Sequence, residues 1–412
     1  MASTILTRTA TATGNNKILT WSGWVKRSDN STGQLIMANG NPSDANYIIF
    51  FEFTGGGLRF IIKSLSILAN VETNTLFQDL SAYYHLVFNM DTTQATASNR
   101  IKMYVNGEQI TDFALANYPS QNLGTQFNNA ASVISVGGKA VTGANTDFFN
   151  GYMSHVHFID GTVYGPSTFG ETDSLTGIWK PITSPSVTYG TNGFFLNFSN
   201  SGSMGTDSSG EGNNLAVTGT LTQTQDTPSN VFATGNPLIS NLGTWSNGNN
   251  TIVGSSSTDV RPQMWSTLGA TTGKYYCECK YTDKSGATSG VADYTAMSSI
   301  VRSGTYNGAV SGSSSYQPDG SVYNNGGGTT PYGNALNNND ILSIALDLDN
   351  NKLYYGVNGV WQNSGDPTSG ATGTGAVSLT NTNDDYWFFS HGDGSSGSSA
   401  TAQVNYGNGY FG

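Results

Sequence analysis

The sequence predicts an all-β protein of two antiparallel β-sandwiches joined by a Gly/Ser/Asn-rich connector. Three observations predict it. Apolar and polar residues alternate over many short runs, which is the period of a strand with one buried face. Gly- and Asn-rich turn signals separate those runs. Helical periodicity is almost absent. The 412 residues suit two domains of about 200 rather than one, and either half is long enough to bury a core.

In "NYIIFFEFTGGGLRFIIKS" two β-rich runs flank Gly55-Gly56-Gly57, a hairpin pattern. "SAYYHLVFNMD" puts Tyr84, Leu86, Phe88 and Met90 on one face. "RIKMYV" puts Ile101, Met103 and Val105 on one face and Arg100, Lys102 and Tyr104 on the other. Asn106-Gly107 follows, and it accepts the positive φ angles of a type I′ turn. "ASVISVGG" and "FFNGYMSHVHFID" continue as strands.

From Ser199 the texture becomes polar and Gly-rich, with one strand expected at Leu215 to Leu221. The first domain is therefore placed at 1–198, the connector at 199–242 and the second domain at 243–412. Alternation returns near Trp245, and "GKYYCECKYT", "DILSIALDLD", "KLYYGV" and "YWFFSHGDG" read as strands. "SGSSSYQPDGSVYNNGGGTTPYGN" reads as a long loop-rich stretch, a place where binding often resides. A second Asn-Gly turn stands at Asn358-Gly359.

Charged residues are only 10% of the chain, against about 25% in average globular proteins. Ser, Thr, Asn, Gln and Gly must supply the polar surface, and such a surface is little affected by salt. The net charge is −11 with 16 Lys and Arg, and no basic run is present to neutralise phosphates. Nucleic acid and anionic membrane are not expected as partners. No run of about 20 apolar residues is present to span a membrane. The N-terminal "MASTILTRTATATGNNK" lacks the apolar core of a secretory signal. The expectation is synthesis in a cytoplasm and exposure on a released particle.

The blocks "KILTWSGWVKRS", "YYHLVFNMD…RIKMYVNGEQI" and "FFNGYMSHVHFIDG" resemble a laminin-G-like, concanavalin A-like jelly roll. The run from "FFNGYMSHVHFIDG" through "DTPSNVFATGNPL" is similar to phage structural proteins of marine and cyanobacterial phages, over roughly Thr7 to Leu238. "GKYYCECKYT", "SVYNNGGGTTPYG", "NNNDILSIALDLDNNKLYYGVNGVWQ" and "YWFF" resemble a SPRY domain, over about Gly243 to Gly412. That family is a β-sandwich binding module that recognises partners through its loops. The resemblance implies a virion component, either a tail fibre or a capsid decoration. It departs from the long-fibre plan, because no coiled coil or collagen-like shaft precedes the first sandwich. The two Asn-Gly turns then read as one meander used in two distinct sandwich families, and as scaffold rather than site.

Four constellations bear on chemistry. The six Glu residues form no E-x-D-x-x-E pattern of a retaining glycosidase, and "GETD" (Glu171, Asp173) lies in a Gly-bounded turn. Asp347 and Asp349 share a strand face and are either calcium ligands or a polar strand end. His155 and His157 are read on one face beside Met153 and Ile159, either as metal ligands or as packed strand histidines. Cys277 and Cys279 point to one face, either as buried thiols or, at roughly 6.7 Å between Cα atoms, at the limit of a disulfide. The expectation is no catalytic residue, no metal and no cofactor.

The candidate ligand-binding residues are Tyr306, Tyr316, Tyr323 and Tyr332, all in the loop-rich stretch. Tyrosine supplies contact area at low entropy cost plus a hydroxyl. The alternative is that some of them are inward-pointing strand residues. The functional expectation is a non-enzymatic virion surface protein of tail-fibre type that binds a host-surface glycan or protein. Its partners are other virion proteins and further copies of itself, with capsid decoration and a carbohydrate-active hydrolase as the alternatives.

Overall fold

Alternating strands build two units, Met1–Gln223 with Thr227–Val231 and Thr224–Asp226 with Phe232–Gly412. The computed structural model describes residues 4–31, 33–40, 47–64, 66–125, 127–140, 145–239, 242–254, 261–380, 385–394, 397–409 and 411, with backbone alone for 47–50. The fold is all-β, with antiparallel pairing throughout the described sheets.

In the first unit an eight-stranded sheet faces a six-stranded one. The larger runs Phe113–Asn117, Ser66–Thr73, Gly57–Ser64, Tyr47–Thr54, Gln34–Gly40, Val133–Val136, Ile5–Thr9 and Ala216–Thr218. The smaller runs Phe194–Leu196, Gly151–Asp160, Ile18–Arg27, Tyr84–Asp91, Ile101–Val105 and Glu108–Gln109. The expected faces hold: Leu86, Phe88, Met90, Ile101 and Met103 lie in the core, with Tyr84 and Val105 packed against it. Phe51 of the larger sheet stacks on Phe88 of the smaller, centroids 4.6 Å apart, and Trp21 leans on both. The smaller sheet's other face is also covered. Val87, Ile159, Phe169, Tyr189 and Phe195 form a second cluster there, with Tyr104 against it.

The first unit extends past residue 198. Asp207 is the reason. Its carboxylate accepts from the backbone N–H groups of Phe195, Ser209 and Asn213. Leu215 then enters the main core, and Ala216–Thr218 adds an edge strand to Ile5–Thr9. A carboxylate collecting backbone donors organises a chain that hydropathy reads as unstructured.

Both Asn-Gly turns form as expected. Asn106 and Gly107 have φ of 49° and 88°, and Asn358 and Gly359 have 50° and 79°. Each Asn also ties its turn to a strand beyond the hairpin. Asn106 Oδ1 accepts from His85 N at 2.8 Å, and Asn358 Oδ1 accepts from Ile341 N at 2.9 Å. The two glycines differ in surroundings. A Cβ on Gly359 would meet nothing, whereas one on Gly107 would lie 3.0 Å from the Trp179 ring. Gly359→Ala is expected to cost about 1 kcal/mol from the left-handed backbone alone. Gly107→Ala is expected to cost clearly more, because Trp179 must also move. Urea unfolding of both variants checks the order; equal costs would contradict it.

The second unit pairs a sheet of Thr244–Ser246, Thr251–Val253, Thr401–Asn405, Lys274–Asp283, Ile341–Asp347, Lys352–Val357 and Val360–Trp361, with Val377–Ser378 also on Lys352–Val357. Its partner sheet runs Gln263–Trp265, Trp387–Asp393, Ala287–Asp293, Ser313–Tyr316, Ser321–Asn324 and Thr329–Pro331.

Two elements here differ from expectation. The stretch read as a long loop contains three of these strands. Ser313, Ser314 and Ser315 are buried on one of them, and the Ser315 and Ser313 hydroxyls donate to the Asn307 and Val310 carbonyls. Buried serines satisfied this way carry no hydrophobic signal. A helix, Tyr294–Ser303, also forms, capped by the Asp293 carboxylate on Ala296 N and closed by Gly304 at φ 66°. Ala296, Met297 and Ile300 bury its inner stripe.

Candidate functional site

The structure divides the four candidate tyrosines into two pairs. Tyr306 and Tyr323 are half-buried with ring centroids 5.6 Å apart, and the Arg261 guanidinium lies 5.7 Å from the Tyr306 ring. Arg261 is fixed by donating to the Gly394 and Gly304 carbonyls. These two tyrosines remain surface residues.

Tyr316 does not. It is 0% exposed, and its hydroxyl donates to Asn334 O at 2.6 Å. Its ring packs on Tyr355 at 5.3 Å and on Tyr332 at 6.2 Å. Tyr332 is packed against the same core and donates to Gly375 O at 2.8 Å. The alternative of an inward strand residue therefore applies to Tyr316, while Tyr332 follows the strand Thr329–Pro331 and is half-buried. Tyr316 closes the strand Ser313–Tyr316 on its inner side, which the loop reading did not reveal.

The cysteines and the acidic pairs are engaged within the chain. Cys277 and Cys279 are free, buried thiols on the core face of Lys274–Asp283. Burial pushes the Cys279 thiol up to about 12. Asp347 binds the Lys274 ammonium at 2.9 Å and the Asn350 side chain at 2.9 Å, while Asp349 accepts from Gly273 N. Glu171 and Asp173 both face Lys180, at 3.5 and 3.0 Å.

The histidines depart from simple alternation. A bulge lies between Ser154 and His157, with His155 at φ 48°, so Met153 packs against the main core while His157 faces the second cluster. His157 Nδ1 meets the Tyr189 hydroxyl at 2.9 Å and its ring stacks on Phe195. His85 lies between Trp24 and Trp179. Trp179 Nε1–H donates to His85 Nδ1 at 2.9 Å, which leaves Nε2–H to donate to Ser22 Oγ at 2.9 Å. That bonding selects the neutral ring.

An open cleft lies on the outer face of the second unit's larger sheet, a site missed from the sequence. Three cross-strand rows define this face: Lys274, Asp347 and Lys352; Tyr276, Ala345 and Tyr354; Glu278, Ser343 and Gly356. Ala345 leaves a notch between two tyrosines. Pro367 closes one side, and the cavity measures about 220 Å³. Tyr276 is 50% exposed. Its hydroxyl donates to Glu278 Oε1 at 2.7 Å, with Ser343 Oγ at 3.1 Å, and Trp361 meets its ring edge-on. Tyr354 is buried, its hydroxyl paired with Ser369. One signal was available. Cys277 and Cys279 on the inner face place Tyr276 on the outer one.

Comparison with known proteins gives the following. Residues 3–164 match the family model of the concanavalin A-like lectin/glucanases superfamily. No curated protein matches the chain. Among solved structures, a human SPRY domain is 14% identical over 38% of this chain and 92% of its own, with a TM-score of 0.28. Mouse laminin alpha1 chain domains LG4-5 are 11% identical over 98% of this chain and 87% of their own, with a TM-score of 0.32. The heptameric SAP-like pentraxin of Limulus polyphemus is 15% identical over 47% and 88%, with a TM-score of 0.32.

Proposed function

We propose that this protein is a non-enzymatic adhesion component of a phage particle, of tail-fibre type, that binds a glycan or protein on the host surface. The observation that carries the adhesion reading is the outer-face cleft, where an exposed, hydrogen-bonded tyrosine stands beside a fixed Lys–Asp pair on a rigid sheet. Pre-organised groups of this kind bind without paying much ordering entropy. The lectin/glucanase family match over residues 3–164 supports a recognition role for the first unit as well. The virion assignment rests on the sequence resemblance to phage structural proteins. Many copies on one particle would turn weak contacts into avidity.

The non-enzymatic reading is supported by how Asp173 and Asp347 are used. Asp173 binds Lys180 and Asp347 binds Lys274. A glycosidase acid carries a raised pKa, which a neighbouring cation opposes. Two measurements test the proposal. Purified protein should bind host cells and slow phage adsorption, and quantitative mass spectrometry should count a few dozen copies or fewer per particle, located on the tail. A copy number matching the capsid lattice would establish the capsid-decoration alternative instead. Release of reducing sugar from host polysaccharide would overturn the non-enzymatic reading.

A further inference from the structure

We infer that the cleft at Tyr276 holds one neutral pyranose ring of a host-surface glycan. The inference rests on the adhesion reading and adds the residues and the ligand class.

Size comes first. A cavity of about 220 Å³ is smaller than the roughly 300–1,000 Å³ of sites for drug-sized ligands. It has the volume of about seven waters at about 30 Å³ each. One six-membered ring with its hydroxyls fits, and an extended peptide does not.

Shape and polarity follow. Ala345 forms the floor, and the Tyr276 ring is a half-exposed wall held by three contacts. A fixed aromatic ring offers its π-face to the C–H face of a sugar while the sugar's hydroxyls reach outward. At the cleft's end, Lys274 Nζ has three donors and spends one on Asp347. It can donate to a hydroxyl whose own proton goes to the carboxylate.

Charge decides the class. An aromatic site of this kind would otherwise suit a quaternary ammonium, but here a cation would meet Lys274. An anion would meet Asp347. Lys274 and Lys352 stand against Asp347 and Glu278 on this face, so its charges balance and a neutral polyol suits it better than either ionic ligand.

The test uses the intact chain and saturation-transfer NMR. The neutral probes are the methyl glycosides of glucose, galactose, mannose and N-acetylglucosamine. Methyl glucuronide and phosphocholine are the charged probes. At least one neutral glycoside should bind. Ala345→Leu, which fills the notch, and Tyr276→Ala, which removes the wall, should each weaken it at least tenfold. Tyr294→Ala, an exposed tyrosine on the helix, should not.

Retained binding in a folded Ala345→Leu variant would overturn the site. Preference for a charged probe would overturn the ligand class. Failure of every neutral glycoside, in protein that still binds host cells, would end this inference and leave the adhesion reading standing. Failure on glycosides and cells alike would end both.

Discussion

Acidification from pH 7 to pH 4 is expected to destabilise the protein steeply, by on the order of 3 kcal/mol for each of His85 and His391. Burial is the largest cause in every case. It lowers His85 and His391 to about 3, and it holds His157 well below its ordinary value, with His155 and His85 adding repulsion. The direction follows from proton counting. These folded-state values lie below the unfolded value of about 6.5, so the unfolded chain binds more protons between roughly pH 6.5 and 3. The stability is whole above about pH 6.5 and is lost progressively as the pH falls.

Three buried carboxylates work the other way, because burial raises Glu52, Asp160 and Asp293. They moderate the loss only near their own titration range. The geometry at His85 shows what protonation breaks. A proton on Nδ1 would face the Trp179 N–H that now donates to it. His85→Phe should therefore lower stability at pH 8, where Trp179 loses its acceptor. It should also flatten the slope between pH 6 and 5 by about 1.4 kcal/mol per pH unit. Urea unfolding across pH 4 to 8 reads both. An unchanged slope would contradict the assignment.

Phe51→Ala is expected to cost about 3–5 kcal/mol in the first unit. Phe51 is 1% exposed and stacks on Phe88 at 4.6 Å, with Phe60 edge-on at 4.8 Å and Trp21 at 6.2 Å. Its ring comes from one sheet and those of Phe88 and Trp21 from the other, so its loss opens a cavity at the junction of both layers. That cost is a large part of the roughly 5–15 kcal/mol typical of a domain. Phe51→Leu keeps most of the volume and is expected to cost under about half as much. Hydrogen exchange of first-unit peptides gives the test. Equal protection in wild type and Phe51→Ala would show that the ring stack contributes little.

The core faces of Tyr84–Asp91 and Ile101–Val105 were legible from alternation, and so were the two Asn-Gly turns. Each depends on side chains a few residues apart, or on the φ angles that one dipeptide tolerates. The serine strand Ser313–Tyr316 was not legible, because its buried positions are filled by hydroxyls whose acceptors lie elsewhere. The same blindness hid the surroundings of Tyr316 and Tyr332, whose hydroxyls donate to the Asn334 and Gly375 carbonyls. The helix Tyr294–Ser303 is short, and its apolar stripe of Ala296, Met297 and Ile300 is brief beside the alternation around it. A one-residue bulge at His155 reversed the face of every later side chain on its strand.

By itself the sequence determined the all-β class, the faces of the long strands and the hairpins that end them, because these follow from local periodicity and backbone preference. Only the tertiary structure decided which outward residues meet. Tyr276 faces Ala345 and Lys274 faces Asp347 across some 70 residues of chain because of strand register. Register is set by the packing of both sheets at once, and no single stretch of sequence carries it.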